Sequence, residues 1–180
     1  MIDNVFLLNT HIIFIAARFD IHFPLNLEYI KLVKQHFDSG GENTLFLDDM
    51  HKIHVQSSLE QQADFSLSRA KSVSVSVDQN FMKLYSCALS EIIHLLQEGD
   101  FDQAYDVIDA FHWLPETVAN GGKVDYVSFF TSMIIPLSEK WGTSFVEELY
   151  SLLRLNWLSK IQIRRKLVKS QATHRRNKKA

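Results

Sequence analysis

Three aspartates at positions 102, 106 and 109 are the carboxylates whose spacing most invites chemistry. They lie in "GDFDQAYDVIDAFHWLPE", residues 99–116. Each helical residue advances about 100°. The i, i+4, i+7 spacing therefore draws Asp102, Asp106 and Asp109 into one stripe with Trp113 near it, while Phe101, Ala104, Tyr105, Ile108 and Phe111 gather on the opposite side. Hard cations want several carboxylate oxygens. A single stripe spreads its carboxylates along a rod instead of wrapping an ion, and helical metal centres borrow ligands from facing helices. "EIIH", Glu91 to His94, matches the Glu-x-x-His element of di-iron bundles once, with no second copy, and His112 is the other ligand type nearby. A metal-dependent enzyme is accordingly the third-ranked function class, and neither a metal nor any other cofactor is expected. The stripe reads as a solvated face whose functional form is an acidic docking surface, Asp102, Asp106, Asp109 and Trp113, for a protein partner. His112, on the apolar side, is expected to be partly buried with a ring nitrogen on a backbone carbonyl near the helix end.

Other chemistry-bearing residues are sparse. "DDMHKIHV" offers Asp48, Asp49, His51 and His54, a spacing that fits no metal motif and is equally that of a boundary loop. There is no GxSxG elbow, phosphate-binding glycine loop or HExxH. Cys87 is the one cysteine, so an intramolecular disulfide and a cysteine-based zinc site are excluded. It falls within an apolar helical pattern, where a buried thiol is usually inert. Enzymatic activity is not expected.

"LLQEGDFDQAYDVIDAFHWLPE" resembles a segment of small uncharacterised helical bacterial proteins, in which an acidic helix ends in an Ala-x-His-x-x-Pro motif. The resemblance covers residues 85 to 120. Some members of that grouping are held to be toxin-neutralising immunity proteins. The resemblance thus implies a non-enzymatic interaction or regulatory protein whose acidic helix masks a basic target. It implies no catalytic residues.

Charge is divided unevenly along the chain. Residues 1–148 hold nine Lys/Arg and twenty-one Asp/Glu, net −12, whereas residues 149–180 hold ten Lys/Arg and no acid, net +10. The total of −2 hides both. Cations are favoured at a helix C-terminus, which is the structural reading. The functional alternative is a nucleic-acid-associated protein, with Arg164, Arg165, Lys166, Lys169, Arg175, Arg176, Lys178 and Lys179 reaching phosphates. Base readout is not expected, because no aromatic residue follows Trp157. An amphipathic "LLRLNWLSKIQIRRKLVK" on an anionic membrane is a third reading. A membrane surface is not the expected partner, since its anchors Trp157, Leu158 and Ile161 read equally as core. Opposed charges also allow self-association.

These residues must be carried by helices. "QNFMKLYSCALSEIIHLLQEG" places Phe81, Leu84, Tyr85, Ala88, Leu89, Ile92, Leu95 and Leu96 on one stripe wide enough for a central helix, stopped by Gly99. Asp100 with Gln103 and Ser144 with Glu147 have capping-box spacing. Pro115 is expected to end the second helix, and Pro136 to kink the helix that spans Tyr126 to Trp141. One long helix is expected from Ser144 to Ser170. Earlier, Leu27, Ile30, Val33 and Phe37 have helical spacing before Gly40–Gly41, and "SVSVSVD" alternates as a strand or a loop. "TLFL" and the N-terminal apolar pieces are the partners available to it.

At 46% apolar residues, the 180-residue chain can bury a core. No window approaches the about twenty apolar residues of a membrane span. The expectation is a mostly α protein, a compact bundle of four or more helices. Residues 1–170 form a single domain, with an irregular part at 1–77 that can hold short strands and a helical core at 78–170. A disordered basic tail follows at 171–180. The expected location is cytoplasmic.

Overall fold

The computed structural model describes residues 74–180 together with Ile2, Asp3, Leu7, Thr10, His11, Leu27, Ile30, Lys31, Val33, Lys34, Gln35 and Asp38. The expectations for Phe37, Gly40–Gly41, "TLFL" and "DDMHKIHV" lie outside these residues. The described protein is mostly α. The chain divides into two compact units, Met1–Lys123 and Val124–Ala180, a division that the reading of 1–170 as a single domain does not contain.

In the first unit β1 (Ile2–Asp3) pairs antiparallel with β2 (Ser74–Val75), Ile2 opposite Val75. Ser74 and Val75 of "SVSVSVD" thus pair with Ile2 and Asp3, ahead of the N-terminal apolar pieces expected as partners. Helix α1 (Gln79–Glu98) starts at Asp78, whose carboxylate accepts the Phe81 N–H at 2.8 Å, and ends at Gly99 in the left-handed region, φ 79°. A residue with a Cβ is strained there. Phe81, Leu84, Tyr85, Ala88, Leu89, Ile92 and Leu95 are buried along α1 as their spacing requires. Leu7, Ile30 and Val33, all helical, join this core with no exposed surface.

Helix α2 (Phe101–Phe111) packs on α1 and buries Ala104, Val107, Ile108, Ala110 and Phe111. Asp100 makes no side-chain cap bond, so the Asp100–Gln103 capping box does not form. Its backbone N–H instead closes the end of α1 on the Leu95 carbonyl at 2.9 Å. Pro115 does not end α2. It lies in the first turn of a separate helix, α3 (Leu114–Ala119), where a missing N–H costs nothing. After α3 the chain turns tightly: a Cβ on Gly122 would stand 2.8 Å from Thr117 Cγ2 and 2.9 Å from the Thr117 carbonyl oxygen.

The second unit opens with α4 (Tyr126–Phe129), capped by Asp125, whose carboxylate accepts the Ser128 N–H and hydroxyl. Those bonds hold the Asp125 carboxyl below the usual range. A π-helical turn, Phe130–Ile134, joins α4 to α5 (Ile135–Trp141). The kink expected at Pro136 takes this form. Proline has no N–H and its ring clashes with the carbonyl four residues back, so the ladder widens and the Ile135 N–H reaches Phe130, five residues back. The Ser138 and Ser170 hydroxyls, both buried, meet beneath this turn, and Ser138 donates to the Ile135 carbonyl at 2.6 Å.

The single long helix expected from Ser144 is two helices, α6 (Ser144–Leu152) and α7 (Trp157–Lys179). Leu153 and Asn156 are extended. Asn156 caps α7 by accepting the Ser159 N–H at 2.9 Å, and a capping side chain competes with continuous helix. The Ser144–Glu147 capping box is absent too: Ser144 is the first residue of α6 and not its cap, the Glu147 N–H bonds the Thr143 carbonyl at 2.8 Å, and the Glu147 carboxylate is held by Arg164, two contacts of 2.9 Å, and by Gln171 at 2.6 Å. Residues 171–179, expected to be disordered, continue α7. The Gln171 contact and the His174 ring, which donates to the Glu139 carbonyl at 3.0 Å, anchor that extension.

Candidate functional site

Two surfaces and one histidine pair carry the chemistry. On α2 the expected stripe forms, but unevenly. Asp102, in the first turn, and Asp109 are exposed, whereas Asp106 is half-buried. Trp113 does not stand out as a docking aromatic. It is half-buried, and its indole N–H donates to the Ala110 carbonyl at 2.9 Å, closing the end of α2.

His112 was expected to bond a carbonyl, and the roles are reversed. Its own carbonyl accepts the Nδ1–H of His11 at 2.8 Å. The two rings lie 5.9 Å apart. His11 is buried and its Nε2 is 3.3 Å from Glu116 Oε2. The His112 Nδ1 is buried without a hydrogen-bond partner among the described residues. Burial first, then the charge of His11, hold the His112 imidazole below its usual pKa, against the opposing pull of Asp109 and Glu116. No signal in the sequence links His11 to His112, since 101 residues separate them. Glu91 is half-buried and His94 exposed. Among the described residues no three His, Cys, Asp or Glu side chains come together as a metal-ligand set.

The basic surface is α7. Two of its cations serve the fold. Lys160 donates to the Tyr150 and Leu153 carbonyls at 3.1 and 3.0 Å, satisfying the open end of α6, and lies 4.2 Å from the Tyr150 ring centroid. Burial, then Arg154, hold its ammonium below the usual pKa. Arg164, expected on the phosphate-contacting surface, is spent on Glu147. The remaining seven expected cations, Arg165, Lys166, Lys169, Arg175, Arg176, Lys178 and Lys179, are all exposed on the helix. By helical rotation Arg165, Lys169 and Arg176 fall within an arc of about 40°, facing away from the buried Ile163, Leu167 and Ser170.

Compared with protein families, curated proteins and solved structures, the chain matches none. Among the described residues no helix is long and apolar enough to cross a membrane.

Proposed function

We propose that this is a non-enzymatic binding protein whose C-terminal helix engages a polyanion through phosphate-type oxygens. The observation that carries the reading is the set of seven exposed cations on one helix that holds no acid. The last turn, with Arg176, Lys178 and Lys179, gains from the helix dipole. That gain fades within one turn and leaves Arg165, Lys166 and Lys169 unexplained. Like charges at i, i+4, such as Arg165 with Lys169 and Arg175 with Lys179, each cost about 0.2–0.5 kcal/mol. A polyanion removes that repulsion. The single cysteine of the sequence, Cys87, accords with a reducing cytoplasm.

A second reading keeps the acidic helix as the docking face for a basic protein, of immunity type. Exposed Asp102 and Asp109 favour it. The inward turn of Trp113 takes away its aromatic anchor.

The two separate by salt and by variant. Binding of the full chain to duplex DNA should weaken as salt rises, with a log–log slope of about 0.9 per phosphate contacted. Replacing Arg165, Lys169 and Arg176 by Gln should lower that slope by up to about 2.7. Replacing Asp102, Asp106 and Asp109 by Asn should leave it unchanged. Absence of binding at low salt both to DNA and to vesicles containing phosphatidylserine would sink the polyanion reading.

A further inference from the structure

The outer face of α7 carries more than charge. Trp157 is 74% exposed and Leu158 73%, at the very start of the helix, and Val168 is 50% exposed further along. Ile161, one turn on, is half-buried. By helical rotation Leu158, Ile161, Arg165, Lys169, Ala172 and Arg176 share an outward arc of about 80°, and Trp157 flanks it about 40° beyond the edge that Ile161 marks. One face therefore runs from an apolar end into a basic stretch.

Contact with phosphates uses only the second part of that face. A nucleic-acid backbone offers nothing to Leu158, and a single indole is no platform for successive bases, which stack on several aromatic rings. A second copy of the same face is disfavoured, because no acid on α7 would meet the other copy's cations. An anionic bilayer interface fits all of it. Indoles settle at headgroup level, leucines reach the acyl boundary, and Lys and Arg sit over anionic headgroups. The expectation against a membrane surface rested on Trp157, Leu158 and Ile161 reading equally as core, and the first two stand well outside it.

Resting on the polyanion reading of α7, we infer that its partner is an anionic lipid surface. The helix lies in the plane of the interface with Trp157 and Leu158 inserted and Arg165, Lys169 and Arg176 over the lipid phosphates. Both anchors are solvent-exposed, so replacing them leaves the fold intact, which a thermal melt verifies.

The full chain is mixed with phosphatidylcholine vesicles, with vesicles also containing phosphatidylserine, and with duplex DNA. It should sediment with the phosphatidylserine vesicles and not with phosphatidylcholine alone, and its tryptophan emission should shift to the blue. The double variant Trp157→Ala, Leu158→Ala should lose affinity for those vesicles by about tenfold or more and lose the shift. Its affinity for DNA should match that of the unaltered chain. Vesicle binding that the double variant retains in full would overturn the inference, as would DNA binding with no vesicle binding. The latter leaves the polyanion reading standing, whereas failure to bind either probe removes both.

Discussion

Ile92 has no exposed surface and sits midway along the buried stripe of α1. Ile92→Ala removes buried methyl groups and leaves a cavity, at a cost of about 2–5 kcal/mol. Asp102→Ala loses only a favourable charge in the first turn of α2, about 0.3–1 kcal/mol. Denaturant midpoints should separate the two clearly, and equal effects would mean that the faces are misassigned. His112 supplies a pH dependence. Its folded pKa lies below the ordinary 6.5, so the unfolded chain takes up the proton more readily. The associated stability is present above the unfolded pKa and is lost as pH falls through it. The melting temperature should drop between about pH 7.5 and 5.5, and His112→Gln should make the drop smaller. An unchanged drop would show that His112 is not its source. At this scale the sequence was a partial guide. It put His112 near a helix end and partly inside, but the other side of the contact, His11, comes from a distant segment. Local spacing holds no information about it.

At the scale of elements, the asparagine at the start of α7 decides where that helix begins. Asn156 replaces a continuous ladder with a cap, and Lys160 satisfies the carbonyls left open behind it. Asn156→Ala should cost about 1 kcal/mol, read as a shifted unfolding midpoint, with helix content otherwise retained. No change in midpoint would mean that Lys160 alone maintains the break. Apolar periodicity made the interior of α1 legible, because burial is repeated at every turn and its errors average out. Helix ends were less legible, since each depends on one or two bonds. The capping box at Asp100 fails because its backbone N–H is taken by the end of α1, and the one at Ser144 because α6 begins a residue early, with the Glu147 N–H on the Thr143 carbonyl and the Glu147 carboxylate on Arg164. Pro115 was misplaced for a related reason, as the same ring that stops one helix is well suited to begin another.

Across the molecule charge is divided unevenly. The count of ten cations without an acid after residue 148 was legible from the sequence. Which of them are available was not. Lys160 and Arg164 are occupied through contacts to α6, and helical rotation turns Arg165, Lys169 and Arg176 outward. Exposure of Trp157 and Leu158 was equally hidden, because a sequence cannot tell an anchor facing water from one facing core. The proposed binding element is α7. Backbone amide resonances followed while the full chain is titrated with inorganic polyphosphate at low salt test that most directly. The shifts should concentrate between Arg165 and Lys179 and leave Asp102 to Asp109 unmoved. Shifts gathered along α2, or none at all, would contradict it.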